Sequence, residues 1–360
     1  MSLHPPHRPD LIASPIMPSD GLLGQPDDGE AAVVHVQSGG STGAPKALCR
    51  PLQTWVTSAL LEAQAFGLSA HDRFAILGGE HHSLWGYVHF RAGQVEAPCL
   101  GLSAAEMAFL SPQALGQWNE MAPTVLYGVP ELAAAFARQL QRKGQPALAV
   151  RMLLLGGGPV LPSFPIETVA SVFPNARCFC FYGTAETSFV GHRPLDAAAV
   201  AAYELFPSVE LDIRAMNPEE AMGELWVRSP MTITPQAWVN TGDLGQWAAN
   251  GGFHVLGRAA RQLVVKGEKY VVEPLEEALM RRFGLARVAL LMDAQGRVSC
   301  IAAGHGSLDV QQINAALRAY RSHSPSVRRL MALAAEDWPL TAAGKTDFPA
   351  LQARLDEAAA

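Results

Sequence analysis

The chain has 360 residues, room for about two domains, and 49% hydrophobic with 17% charged residues describes a globular protein with a sizeable core. A formal net charge of −6 gives no electrostatic case for a nucleic-acid partner. The five cysteines lack the paired spacing of a zinc site, no apolar run reaches about 18 residues, and no basic-then-apolar leader opens the chain, so buried thiols, no membrane span and a cytoplasmic location are expected.

Residues 1–28, rich in Pro, His, Ser and Asp, predict an irregular lead-in. Ala31–Val36 is an apolar run read as a buried strand. Ser38-Gly39-Gly40-Ser41-Thr42-Gly43-Ala44-Pro45-Lys46 follows. Such a loop can turn backbone N–H groups and hydroxyls toward phosphate, glycine permits close approach, and Lys46 adds a compact charge. A plain surface loop has the same composition. It is not a Walker A loop, because Pro45 stands where a glycine must precede the lysine. Glu80-His81-His82-Ser83-Leu84-Trp85-Gly86-Tyr87 combines histidines with aromatics. His81-His82 reads as a polar turn or a ligand contact, and Trp85 as core or pocket wall.

Short strands then alternate with alanine-rich helices. Val125–Pro130 is a strand ending in a turn, Glu131–Arg142 a helix, Val150–Leu155 a buried strand closed by Gly156-Gly157-Gly158-Pro159, and Cys178–Tyr182 another strand. Alternation of this kind predicts an α/β layer on a largely parallel sheet, whose ligands sit beyond the carboxyl ends of its strands. Phe181-Tyr182-Gly183-Thr184-Ala185-Glu186 leaves such an end. Tyr182 offers a face for a planar base and Glu186 a hard oxygen for Mg²⁺; a strand cap with a solvated glutamate is the alternative.

Beyond about residue 205 short strands at Val209–Arg214, Gly223–Arg228 and Phe253–Leu256 predict a β-rich subdomain. Asn240-Thr241-Gly242-Asp243 reads as a turn, its aspartate holding a ribose diol or closing an Asx turn. Arg258, after Leu256-Gly257, is a phosphate or ribose cation or a surface ion-pair partner. From Gly257 onward a hairpin-like strand Gln262–Lys266, helix Pro274–Phe283, strand Val288–Met292 and helix Val310–Ser322 predict a compact α+β unit. It carries Thr341-Ala342-Ala343-Gly344-Lys345-Thr346 near its end.

Gly-Ser-Thr-Gly-x-Pro-Lys, Tyr-Gly-x-x-Glu, Thr-Gly-Asp, Gly-Arg and a late Gly-Lys, in that order, resemble the adenylating superfamily of acyl-CoA synthetases, nonribosomal-peptide adenylation domains and luciferases. The resemblance runs from about residue 30 to the end. It implies a large N-terminal α/β domain with a β-rich subdomain (29–256) and a small mobile α+β C-terminal domain (257–360). It implies an ATP-dependent carboxylate ligase that forms an acyl- or aryl-adenylate and passes the acyl group to a thiol of CoA or a carrier-protein pantetheine. A non-catalytic or adenylate-only binding module is the alternative. Residue by residue, Ser38, Gly40, Ser41, Thr42, Gly43 and Lys46 would grip the ATP phosphates. Gly157, Gly158, Tyr182, Gly183 and Thr184 would hold the adenine side, and Glu186 would bind Mg²⁺. Asp243 and Arg258 would hold ribose, and Lys345 would bridge the reacting groups. His82 and Trp85 would line the acid pocket, and Gly267, Glu268 and Lys269 would enter the site for the second step. Ala185 before Glu186, together with Gly257-Arg258-Ala259 and Gly267-Glu268-Lys269, resembles aryl-acid activators.

Several residues depart from the family pattern. The phosphate loop begins near residue 38, so a shortened N-terminal domain is expected, and the stretch between Glu186 and Thr241 is short. Ala259, Ala260 and Arg261 stand where the hinge usually has Asp or Lys, and Gly39 stands where Ser is frequent. These departures bear on the second step and on whether the protein forms a homodimer.

Overall fold

The computed structural model describes residues 23–24, 32–37, 47–80, 82–195, 201–215, 221–304, 308–341 and 344–358. Strands β1 (Leu23–Gly24), β2 (Val33–Gln37) and β3 (Ala47–Pro51) form a small antiparallel sheet. In β2, Val34 and Val36 are buried while His35 and Gln37 are exposed. The apolar run expected to be buried throughout is therefore half-buried, because an antiparallel sheet can leave one face in water.

The central sheet has seven strands: β4 (Phe74–Leu77), β5 (Cys99–Leu102), β6 (Val125–Gly128), β7 (Met152–Leu155), β8 (Arg177–Thr184), β9 (Ser188–Pro194) and β10 (Glu204–Leu205). Their order is β10-β9-β8-β7-β6-β4-β5; β5, β4, β6, β7 and β8 run parallel, and β9 and β10 are antiparallel. Every residue of β4, β6 and β7 is buried. A parallel strand covered on both faces has no polar side, which is why these segments are continuous apolar runs.

Alternate residues feed two separate cores. Phe74, Ile76, Tyr127 and Leu154 face one cluster with Trp55 and Phe66 of α1 (Leu52–Phe66) and Tyr87 and Val88 of α2 (Ser83–Gly93). Ala75, Leu77, Leu126 and Leu153 face the other, with Met107 of α3 (Ala104–Phe109), Trp118 of α4 (Pro112–Met121), Phe136 of α5 (Pro130–Arg142) and Val172 of α6 (Ile166–Val172). Each Val, Leu, Ile, Phe or Met side chain among them, fully buried, stabilises by about 1.5–3 kcal/mol.

A four-stranded antiparallel sheet follows: β11 (Glu210–Ala215), β12 (Met222–Arg228), β13 (Val239–Trp247) and β14 (Phe253–Arg258). The Thr-Gly-Asp segment is not a free turn but lies inside β13, and Gly257-Arg258 ends β14. The remaining chain forms the hairpin β15 (Gln262–Val265) and β16 (Glu268–Val271), then α7 (Glu273–Phe283), β17 (Arg287–Met292), β18 (Val298–Ala303), α8 (Val310–Tyr320), β19 (Val327–Leu333) and α9 (Phe348–Glu357). Lys266 and Gly267 have φ of 52° and 86°, the left-handed pair that closes a two-residue hairpin. Apart from Leu161 at its margin, the apolar packing of this unit comes from residues after Gln262. Cys180 and Cys300 are buried, Cys178 and Cys99 half-buried and Cys49 exposed, and all five are free thiols. Among the described residues no helix is long and apolar enough to cross a membrane.

Candidate active site

The carboxyl ends of β6, β7 and β8 border an open-mouthed cavity of about 1640 Å³, lined also by residues of β13, β14 and the C-terminal unit. Each strand end leaves through residues that local sterics select. A Cβ on Gly156 would lie 2.2 Å from the Phe181 ring. Gly157 turns with φ of 76°, and a Cβ there would meet His82 Cε1 at 3.4 Å. Val129-Pro130 starts α5 and sets Glu131 in its first turn.

Asp243 is the most constrained group of the site. It is 5% exposed; Oδ2 accepts a hydrogen bond from the Tyr182 hydroxyl at 2.7 Å, and Oδ1 lies 3.0 Å from Arg258 Nε. Arg258 sits directly across the ladder from Asp243, and its Nη1 donates to the Thr241 carbonyl at 3.2 Å. Burial pushes the Asp243 carboxyl up, and Arg258 and the Tyr182 hydroxyl oppose that. The Tyr182 ring packs against Tyr203 and Phe253, with centroids 6.0 and 5.8 Å away. Glu186 lies inside a turn tied by the Thr184 and Thr187 side chains, and its backbone N–H donates to Thr184 Oγ1 at 3.2 Å. Among the described residues its carboxylate has no hydrogen-bond partner, though it is close enough to Arg50 and Asp243 to act on both electrostatically.

Lys345 arrives from the far end of the chain. Gly344, at φ 76°, seats its turn against Leu132 of α5; Lys345 N–H donates to Thr341 Oγ1 at 3.2 Å and Thr341 N–H to the Lys345 carbonyl at 2.7 Å. Burial lowers the Lys345 ammonium pKa and Arg258 lowers it further, against the pull of Glu131 and Asp243. His82 is pushed down to about 4 by burial and by Lys345, so its imidazole is neutral at pH 7. Its Nδ1 caps α2 by accepting the Leu84 N–H at 3.3 Å.

Gly157, Gly158, Tyr182, Gly183, Thr184, Glu186, Asp243, Arg258, His82 and Lys345 therefore border one cavity although they span more than 260 positions of sequence. Residues 15–235, more than half of the chain, match the family described as AMP-binding enzyme. The chain belongs to that family. It is 29% identical over 256 residues to the uncharacterized acyl-CoA ligase YhfT of Bacillus subtilis, covering 67% of this chain and 51% of that protein. It is 26% identical over 303 residues to the salicyl-AMP ligase / salicyl-S-ArCP synthetase of Mycobacterium tuberculosis, covering 77% and 52%. The matched span is thus about half the length of these relatives. The fold is similar to that of the amide bond synthetase McbA from Marinactinospora thermotolerans, with a TM-score of 0.72 and 20% identity over 89% of this chain and 69% of that one. It is also similar to O-succinylbenzoate coenzyme A synthetase from Bacillus subtilis, at 0.69 and 20% over 88% and 68%.

Not every expected residue reaches the cavity. Trp85 was expected in the acid pocket, but its ring packs over Gly101, where a Cβ would lie 2.1 Å from it, and against His89 at 5.1 Å. It is a core residue and does not line the cavity. Gly267, Glu268 and Lys269 sit on the exposed β15–β16 hairpin, and Glu268 bonds the Tyr270 hydroxyl. Ser38, Gly40, Ser41, Thr42, Gly43 and Lys46 lie outside the described residues. The sequence reading missed Glu131, Arg50, Trp55, Ser188 and Phe189, which also line the cavity. Only Glu131 carried a local signal, an acidic residue after a helix-starting proline; the others belong to helix and strand faces whose partners lie far away in sequence.

Proposed function

We propose that this AMP-binding enzyme is an ATP-dependent carboxylate ligase. The acid's carboxylate oxygen attacks the α-phosphorus of ATP, the bond to pyrophosphate breaks, and an acyl- or aryl-adenylate forms. A thiol of CoA or of a carrier-protein pantetheine arm then loses its proton, attacks the acyl carbon and expels AMP. The observation that carries this reading is Lys345, which the Thr341–Lys345 turn brings into the cavity that also holds Asp243, Arg258, Tyr182 and Glu186.

A desolvated ammonium at the α-phosphate stabilises charge that grows in the five-coordinate transition state, and its effect is larger in a cavity than in water. Asp243 has two carboxylate oxygens, each with one protein partner, which leaves acceptor capacity on both for a ribose diol. Neutral His82 can stand beside the carboxylate without adding charge next to Lys345. Mg²⁺ fits this site: the Glu186 carboxylate, without a hydrogen-bond partner among the described residues, is the kind of hard oxygen donor that a cation shared with substrate phosphates requires. Glu186 would hold it, and it would neutralise pyrophosphate charge when bound. The aromatic walls Trp55, Tyr87, Phe181 and Phe189 favour a small aryl acid.

Two anchors frame the expected pivot between the larger and smaller units. Arg258 is bound to Asp243 in the larger unit. Arg261 is bound to Glu276 and Glu273, and its guanidinium lies 3.8 Å from the Phe348 ring centre, all in the smaller unit. Ala259 and Ala260 alone lie between them. A turn about these two residues would withdraw Lys345 and admit the Gly267–Lys269 hairpin, so each half-reaction would have its own conformation. The test is carboxylate-dependent ATP–pyrophosphate exchange over aryl and alkyl acids, then thioester formation with CoA and with pantetheinylated carrier protein. Absence of exchange with every acid would refute the ligase and favour a binding module.

A further inference from the structure

We propose that Ser188 selects the acid: its hydroxyl is an acceptor-only contact on the inner wall of the cavity, suited to an aromatic carboxylic acid that carries a hydrogen-bond donor on its ring. This rests on the carboxylate-activating reading above and adds a property which that reading does not contain.

The inference comes from counting protons. Ser58 Oγ donates its single proton to the Thr54 carbonyl at 2.8 Å. The Ser58 and Ser188 oxygens are 2.7 Å apart and either could donate; we assign that proton to Ser188, the arrangement in which the Ser58 bond to the Thr54 carbonyl is also made. Ser188 then has lone pairs but no proton to offer the cavity it lines. The surrounding wall is aromatic: Tyr87 and Phe189 meet edge to face at 5.3 Å, Phe181 and Phe189 at 5.1 Å, and Trp55 and Tyr87 at 5.7 Å. The Tyr87 hydroxyl is turned into the interior, where it donates to buried Glu62 at 2.8 Å. Arg50 also borders the cavity, but its three nitrogens donate to Thr54, Ala185 and Met231. A planar ring would find stacking and edge contacts on this wall, and its donor substituent would find the Ser188 oxygen.

The backbone supports a dedicated position. Ser188 has φ of 59°, a conformation that costs a residue with a Cβ and suits glycine. It pairs with Thr184 across the β8–β9 ladder, next to a register shift at Tyr182/Gly183, and a Cβ on Gly183 would be 1.9 Å from the Ser188 carbonyl oxygen. The chain therefore keeps a hydroxyl at a point where glycine would relax the backbone, an outlier of the kind that clusters at ligand sites.

The experiment compares benzoic acids bearing hydroxyl, amino, fluoro or hydrogen at each ring position. Binding is read by saturation-transfer NMR on the full chain, and turnover by pyrophosphate exchange. At one ring position, hydroxyl and amino acids should bind about 3- to 10-fold better than fluoro, the factor that one neutral hydrogen bond supplies. Ser188→Gly should hold or raise the melting temperature while that ratio falls to near unity. Ser58→Ala should free the Ser188 proton and raise fluoro binding relative to hydroxyl. The inference is overturned if no donor preference exists at any position, if Ser188→Gly keeps it, or if no ring acid binds. Exchange with aliphatic acids alone would leave the ligase reading standing without it, and donor-selective binding without any exchange would do the reverse.

Discussion

Replacing Lys345 with alanine should lower exchange catalysis by about 100- to 1000-fold while the fold holds. At contact distance, about 4 Å, and an effective dielectric near 20, a unit charge pair is worth about 4 kcal/mol. Loss of one preorganised charge-stabilising donor typically costs about 2.7–4 kcal/mol at the transition state, and the two figures agree. Stability should not suffer. The Lys345 pKa in the folded protein lies below its ordinary 10.5, chiefly through desolvation. The unfolded chain therefore binds that proton more tightly, so the group's contribution improves as pH rises toward 10.5 and is least favourable at neutral pH. Alanine removes a net cost there, and the melting temperature should hold or rise. Lys345→Arg should not rescue, because a wider guanidinium would meet Arg258 in the same cavity. The assay is initial-rate pyrophosphate exchange at saturating acid beside a thermal melt. Exchange within a few-fold of wild type in a folded variant would refute the assignment.

Asp243→Ala should weaken ATP binding by roughly 1.5–3 kcal/mol for each ribose hydroxyl it holds and leave inorganic triphosphate nearly unaffected; equal losses in titration calorimetry would show that it does not contact ribose. Ala260→Pro should impair thioester formation more than exchange, because it fixes φ near −65° between the Arg258 and Arg261 anchors; rapid-quench assays of the two steps separate these outcomes, and loss of exchange alone would contradict a pivot. Glu62, bonded to the Tyr87 and Tyr127 hydroxyls, is raised by burial to about 7. The folded protein binds this proton more tightly than the unfolded chain, so the stability it supplies is full below the unfolded value and is lost as pH rises through about 7. The wild-type melting temperature should therefore fall relative to Glu62→Gln between about pH 5 and pH 8, on the order of 3 kcal/mol in stability; parallel curves would argue against it. Glu273, also raised to about 7, moves both proteins alike.

The elements most legible in the sequence were those with strong local causes. Continuous apolar runs marked β6 and β7, since strands buried on both faces tolerate nothing else, and the Cys178–Tyr182 run marked β8, which is only partly buried. Pro130 and the helical spacing after it marked α5, and the hairpin-like run Gln262–Lys266 before Gly267 marked β15, which ends one residue earlier at Val265 because Lys266 belongs to the turn. Phe74–Leu77 was missed as the strand between β5 and β6, because four apolar residues between polar turns do not declare a helix or a strand. Thr241–Asp243 was read as a turn because Asn and Gly are turn residues, while in the fold they lie inside β13, at an irregularity of its pairing with β12 that lets glycine in.

Of the site, the chain order of five short motifs suggested residues that share one cavity, and the four motifs among the described residues all border it, but no motif contains its own geometry. Trp85 and Tyr87 are two residues apart on one helix, and only the packing of α2 against β5 sends Trp85 under Gly101 and leaves Tyr87 on the cavity wall. The direction of the Ser188 proton depends on Ser58, 130 residues earlier, and on the Thr54 carbonyl. Hydrophobic period and turn chemistry act within a few neighbours along the chain, so they can be read from sequence. Burial of a charge, the partner of a hydroxyl and the face a side chain presents depend on which distant segments the fold brings into contact, so tertiary structure alone decides them.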